Sequence, residues 1–209
     1  MYKSKLSHLS KLFFISLFII TAPTFNVLSE DSSDLNSIVL STVDGESIKA
    51  SDLLSDDSKI TVLEWFNQGC PFVKKHYGEG FMQALQEEYR SKGIKWLVIN
   101  STNPEHQDFL KPKERNELQA KWNMNKEALF FDESGSLGLH FSAKTTPHII
   151  ILKGKEIMYS GAIDDAPDTD SDPTKAQNYA RMALDELLSG GKVTKTRTRP
   201  YGCSIKYPK

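Results

Sequence analysis

Apolar positions along this chain follow two alternating periods. "KITVLEWF" (Lys59 to Phe66) is a run of β-branched and aromatic residues of strand length, and it predicts a strand. "IKWLVINST" (Ile94 to Thr102) is a second such run, consistent with a central strand buried on both faces. Between them, from Pro71 to about Lys92, Phe72, His76, Phe81, Leu85 and Tyr89 recur at helical spacing, and Gly93 follows as a stop. Gly78 and Gly80 weaken that helix and predict a kink. Upstream, "SIVLSTVDGESIKASDLL" reads as two short strands about the turn "VDGE". Downstream come the helix "PKERNELQAKWN", the strand "ALFFDE", the short helical piece "GSLGLHFSA" and the strand "HIIIL" after "TTP". The turn "KGKE" joins that strand to "IMYSGAI" as a hairpin. "DPTKAQNYARMALDELLSGG" predicts a last helix with Asp172 as cap, Pro173 at its first position and a terminal glycine pair. "KVTKTRTRPYGCSIKYPK" has no core-facing period and predicts an extended tail, its basic part a solvated arm. This order of elements implies an α/β fold with a sheet covered on both faces.

The first thirty residues depart from that pattern. Lys3, Lys5 and Lys11 precede the unbroken apolar run Leu12 to Ile20, and "TAPTFNVLSED" follows. A basic segment, a short apolar core and small residues at the exit are the marks of a secretory signal, with Val27 and Ser29 placed for a cut before Glu30. The expectation is an exported protein, periplasmic or secreted. The alternative is an uncleaved anchor, although the run falls short of the ~20 residues a span needs. The predicted organisation is therefore a signal peptide over 1–29, one domain over 30–191, and a tail over 192–209 that carries Cys203. Lys and Arg total 26 against 27 Asp and Glu, so net charge offers no argument for a nucleic-acid partner. Export also changes what two cysteines can do, because an oxidising compartment lets them pair, stably or in turnover.

Cys70 sits where the strand ending at Phe66 gives way to a helix opening on Pro71. Unpaired N–H groups and the positive end of the helix dipole favour an anion there, and they lower a thiol's pKa. Lys74 and Lys75 add positive charge nearby. An activated thiolate at the C-terminal edge of a sheet is one reading; an inert core cysteine is the other. The flanking "NQG" and "KK" are polar, which favours the first. His76, His106, His140 and His148 lack ligand spacing, so no metal site is expected. "DTDSD" (Asp168 to Asp172) lacks the central glycine and closing glutamate of a calcium loop and reads as solvated.

Strand, turn, Cys-Pro and helix, with a later Thr-Pro before an apolar strand and hairpin, resemble the thioredoxin superfamily. "GCPFVKKHY", "TTPHIIIL", "YSGAIDD" and "GCSIKY" resemble more specifically its peroxiredoxin-like redoxin branch, related to alkyl hydroperoxide reductase and thiol-specific antioxidant proteins. The resemblance covers roughly residues 35 to 207. It implies a thioredoxin-like three-layer α/β/α sandwich with a central mixed sheet. Cys70 then matches the attacking cysteine of the Cys-x-x-Cys motif, but Val73 stands where the second cysteine belongs. Pro147 matches the cis-proline facing the sulfur, and Thr146 the residue whose backbone pairs with a bound substrate chain. Glu64 falls where thioredoxins carry a buried acid able to relay protons, unless it is an edge-facing surface carboxylate. True peroxiredoxins place a threonine three residues before the cysteine, where this chain has Asn67, and no companion arginine is identifiable. Asn67 or Gln68 would be the substitute donors.

From Gly191 an extended chain reaches about 40 Å to Cys203, at ~3.3 Å per residue, enough to return to the active-site edge. Cys203 is thus a resolving thiol, half of a permanent staple with Cys70, or a contact to another subunit. The resulting expectation is a thiol–disulfide oxidoreductase without a cofactor. Its partners would be a disulfide-containing protein or a small thiol or peroxide, and a thiol reductant. A thiol peroxidase, with Cys70 peroxidatic and Cys203 resolving, and a non-enzymatic binding module with a static disulfide are the alternatives.

Overall fold

The structure, a computed structural model, describes residues 35–208. The expected signal segment over 1–29 lies outside the described residues.

Seven strands form the main sheet: β1 Val39–Thr42, β2 Ser47–Lys49, β3 Ile60–Trp65, β4 Lys95–Asn100, β5 Leu129–Phe131, β7 His148–Lys153 and β8 Glu156–Gly161. Their order is β2-β1-β5-β4-β3-β7-β8. β3, β4 and β5 run parallel, while β7 and β8 continue antiparallel from β3, and β1 and β2 antiparallel from β5. The sheet is mixed, as expected. A separate two-stranded ladder joins β6 Thr145–Thr146 to β9 Cys203–Ser204.

Alternation along the central strands builds two cores. Val62, Phe66, Trp96, Val98, Ile149 and Ile151 face one side; they pack with residues of α2 (Pro71–Gly78), α3 (Phe81–Ser91) and α6 (Tyr179–Leu188). Leu63, Trp65, Leu97, Ile99, Ile150 and Leu152 face the other side, packing with α1 (Ala50–Leu53) and α5 (Ser136–His140). Continuous apolar runs are what such doubly covered strands require. The remaining helix, α4, spans Pro112–Lys121. No helix among the described residues is long and apolar enough to cross a membrane.

Two expected elements differ in the structure. The helix from Pro71 is not one kinked helix but two, because Gly80 takes a left-handed φ of 75° and restarts the chain as α3. The last helix begins at Tyr179 rather than Pro173, with Asn178 accepting a hydrogen bond from Arg181 N. Asp172 caps only a local turn, through Thr174 N at 2.9 Å, since core-facing residues start at Ala180.

The tail is extended and laid along the domain by its backbone and Thr198, while the side chains of Lys192, Lys195, Arg197 and Arg199 are exposed, as expected of its basic part. Thr198 N donates to Ser160 O and Ser160 N to Thr196 O. Thr198 Oγ1 accepts from Ala162 N at 2.9 Å and lies 2.6 Å from Tyr159 Oη. Beyond β9, Ile205 N donates to Lys144 O, and Tyr207 Oη to Ala143 O at 2.9 Å.

Candidate active site

Cys70 occupies the N-cap of α2, an extended residue (φ −76°, ψ 122°) followed by Pro71 at the first helical position. The turn before it is braced by Gly69 N donating to Asn67 Oδ1 at 2.7 Å and Cys70 N donating to Asn67 O. Asn67 Nδ2 donates in turn to Thr102 Oγ1 at 2.9 Å. Gln68 is tied at both ends of its amide: Gln68 Nε2 donates to Asp108 O, and Asn100 Nδ2 donates to Gln68 Oε1. A Cβ at Gly69 would stand 2.5 Å from an Asp108 carboxylate oxygen, so any larger residue there would have to displace the Asp108 side chain. Both amides proposed as donors therefore hold the turn; Asn67 also lines the cavity beside Cys70, and Gln68 does not.

Cys70 is only 1% exposed, and its Sγ donates to Thr146 O at 2.9 Å. The Thr146–Pro147 peptide is cis. Directly opposite Thr146 in the β6–β9 ladder stands Cys203, so the far end of the chain delivers the second thiol to the first. Gly202 makes that approach feasible. Its φ is +125°, and a Cβ there would lie 2.1 Å from Thr146 O. Both cysteines are free thiols.

Their environments set them apart electrostatically. Burial pushes the Cys70 thiol up, but the Cys203 thiol, the Thr146 side chain and the backbone amides of Val73 and Cys203 outweigh it and hold Cys70 below the ordinary thiol value. Thr146 Oγ1 is buried without a partner while Cys70 is a thiol that uses its proton on Thr146 O, and ionisation of the sulfur gives that hydroxyl an acceptor. Cys203 moves the other way, to about 12, through burial and the hydrogen bond and charge of Cys70. One thiol is set to ionise and its neighbour to keep its proton.

Glu64 is not a surface carboxylate but a fully buried acid on β3. It accepts from Tyr77 Oη (2.7 Å), Gln86 Nε2 (2.8 Å) and Trp96 Nε1 (2.8 Å). Burial pushes its carboxyl up despite these donors. It is not among the residues lining the cavity at Cys70.

A second buried polar cluster was not legible as such in the sequence. Tyr201 Oη donates to Asp164 and lies 3.2 Å from His76 Nε2, with the Tyr201 ring against Phe72. His76 is fully buried and packs here against the tail, and burial holds its imidazole down at about 4. The only sequence signals were Tyr201 beside Gly202-Cys203 and an Asp pair after the hairpin. Among the described residues no cluster of three or more His, Cys, Asp or Glu is placed to hold a metal.

No protein-family model matches the chain, and no curated protein matches it. Among solved structures it is similar to a hypothetical protein from Sinorhizobium meliloti 1021, with 21% identity, 81% of this chain and 90% of that one covered, and a TM-score of 0.67. It is also similar to an uncharacterized conserved protein from Geobacillus kaustophilus, with 27% identity, 82% and 88% coverage, and a TM-score of 0.67. An uncharacterized thioredoxin-like protein from Porphyromonas gingivalis gives 15% identity, 76% and 94% coverage, and a TM-score of 0.49. The mixed sheet, its flanking helices and the Cys-Pro and cis-proline geometry define a thioredoxin-like α/β fold. The similarities do not reach the peroxiredoxin-like branch.

If the ladder at Gly202 holds the two thiols together, Gly202→Val will separate them. A side chain at this φ and this close approach costs on the order of 1–3 kcal/mol, which is about five- to 150-fold in the population with β9 detached. Cys70 in the reduced variant should then be alkylated faster by that factor by a polyethylene-glycol maleimide, a reagent too bulky to reach the sulfur past an attached β9. An unchanged alkylation rate would show that β9 does not cover Cys70.

Proposed function

We propose that this protein is a thiol–disulfide oxidoreductase in which Cys70 attacks and Cys203 resolves. The observation that carries the reading is the β6–β9 register, which sets Cys203 against Thr146 and its thiol beside a Cys70 sulfur of lowered pKa. The Cys70 thiolate attacks one sulfur of a disulfide R–S–S–R, forming Cys70–S–S–R and releasing the first thiolate. The mixed disulfide no longer carries the negative charge that keeps the Cys203 proton in place. Cys203 then ionises and attacks Cys70 Sγ, releasing the second thiol. Two protein thiols become one disulfide, two electrons pass to the substrate, and both protons leave with the two R–SH products. An external thiol reductant resets the pair. Glu64 serves as a positioning residue, holding Tyr77 of α2 by a hydrogen bond rather than exchanging a proton with Cys70 itself. Export of the chain, argued from its first twenty-nine residues, supplies a compartment where such exchange occurs.

Stoichiometric oxidation followed by peptide mapping tests this. A Cys70–Cys203 disulfide should be the product, reversible by dithiothreitol. An intermolecular disulfide, or a pair that resists mild reductant, would sink it, the latter in favour of a static staple.

A thiol peroxidase uses the same pair, and the small cavity beside a buried Cys70 favours it as the second reading. The Cys70 thiolate would take one oxygen from R–O–O–H, giving a sulfenic acid and R–OH, and Cys203 would condense with it and expel water. Against it, Asn67 replaces the peroxiredoxin threonine and gives its amide to Thr102 and Gly69. Stopped-flow oxidation by hydrogen peroxide no faster than that of free cysteine would remove this reading.

A further inference from the structure

The site beside Cys70 is closed on the side where a polypeptide would approach. Thr145 and Thr146 offer the backbone edge next to the sulfur, and β9 already takes it, with Thr146 opposite Cys203 and Thr145 opposite Ser204. An incoming peptide disulfide would need that edge for its own backbone.

β9 is held on both sides. Upstream, Tyr201 is bonded to Asp164 and His76, and Thr198 to Ala162 N, Tyr159 and the Ser160 backbone. Downstream, Ile205 N donates to Lys144 O, and Asn103 donates from its backbone N (2.9 Å) and side chain (2.8 Å) to Lys206 O. The Tyr207 ring lies so close over Gly138 that a Cβ there would meet its oxygen at 2.3 Å. A strand fixed this way at both ends is a wall of the site. The space left at the sulfur is a cavity of about 210 Å³, bounded by Cys70, Cys203, Thr146, Thr102, His106 and Lys206. Sites that engulf drug-sized ligands run to ~300 Å³ and above, while a water takes ~30 Å³ of liquid volume.

We infer that the electron acceptor of Cys70 is a low-molecular-weight disulfide that enters this cavity, and that the C-terminal strap excludes polypeptide disulfides. The inference rests on the oxidoreductase reading and names the substrate class for the same site. Electron flow is that of the exchange above, with R a small organic group.

The test compares two disulfides on the reduced full chain: bis(2-hydroxyethyl) disulfide and insulin. Loss of the Cys70 thiol is followed by quench alkylation and mass spectrometry, and each rate is divided by that of glutathione with the same disulfide, which removes intrinsic reactivity. Because insulin needs the strap to open and the small disulfide does not, the normalised ratio should favour the small one by about a hundredfold or more. A ratio near unity, or one favouring insulin, overturns the inference while leaving the oxidoreductase reading intact. Neither disulfide outpacing glutathione overturns the oxidoreductase reading itself. In Gly202→Val the ratio should narrow by about tenfold as β9 detaches; an unchanged ratio would place the discrimination elsewhere and overturn the role of the strap.

Discussion

Replacing Cys70 by Ser is expected to reduce disulfide exchange to the uncatalysed background, whereas Cys203→Ser should leave the first step and stop the second. The reason is chemical asymmetry between the two sulfurs. Cys70 carries the lowered pKa and stands at the helix N-cap; Cys203 is held protonated, at about 12, by burial and by the charge of Cys70. A serine hydroxyl at 70 is no nucleophile at neutral pH. With Cys203→Ser, a small disulfide should release one equivalent of thiol in place of two, and the Cys70 mixed disulfide should accumulate. Cys203→Ala adds a readout that folding alone does not move. It removes a donor to the Cys70 sulfur, so the pH profile of Cys70 alkylation should shift upward relative to Cys203→Ser, which keeps a hydroxyl donor. Mass spectrometry of the trapped adduct and the two alkylation profiles check both parts. Two released equivalents from Cys203→Ser would end the resolving role.

What was legible in the sequence follows from what a local pattern encodes. The buried strands β3, β4 and β7 show as continuous apolar runs because both their faces meet a core. Cys70, Thr146, Pro147 and Cys203 were singled out from short motifs, and the fold brings all four to one place. The tail was illegible for the opposite reason. It is held by single side chains and isolated backbone bonds, Thr198 to Tyr159 and Tyr201 to Asp164 among them, and such bonds leave no period. Asp172-Pro173 gave a sound local cap signal, yet a helix needs a face to bury, and that face starts seven residues later at Ala180. Glu64 shows a third limit. Its parity with Val62 and Phe66 assigns it to the α2 and α3 face, but the three donors that satisfy it come from Tyr77, Gln86 and Trp96 on three other elements.

Those donors make Glu64 a polar group whose loss should cost the fold heavily. Glu64→Leu leaves Tyr77 Oη and Trp96 Nε1 buried without acceptors, and each unsatisfied donor costs about 1–3 kcal/mol, so a loss of about 2–6 kcal/mol is expected. At about 2–4 °C per kcal/mol for a chain of this size, the melting midpoint should fall by about 4–24 °C. Glu64→Gln keeps one acceptor oxygen and should lose less. The pH dependence isolates the carboxyl itself. Burial raises the folded-state pKa of Glu64 above its unfolded value of 4.5, so between the two values the folded protein binds more protons than the unfolded chain. The contribution of Glu64 to stability is therefore fully present below pH 4.5 and is lost as pH rises through the folded pKa, beyond which it stays constant. His76 and His148 act with the opposite sign in the same region. Both are held down at about 4, so each costs stability as pH falls from 6.5 towards 4. Asp164, raised by burial, adds to the Glu64 trend. Subtracting the denaturation-derived stability of Glu64→Gln from that of the wild type cancels these common terms. The difference should favour the wild type most below pH 4.5 and shrink as pH rises; a difference that grows with pH would mean that Glu64 is held as a carboxylate, its three donors outweighing its burial.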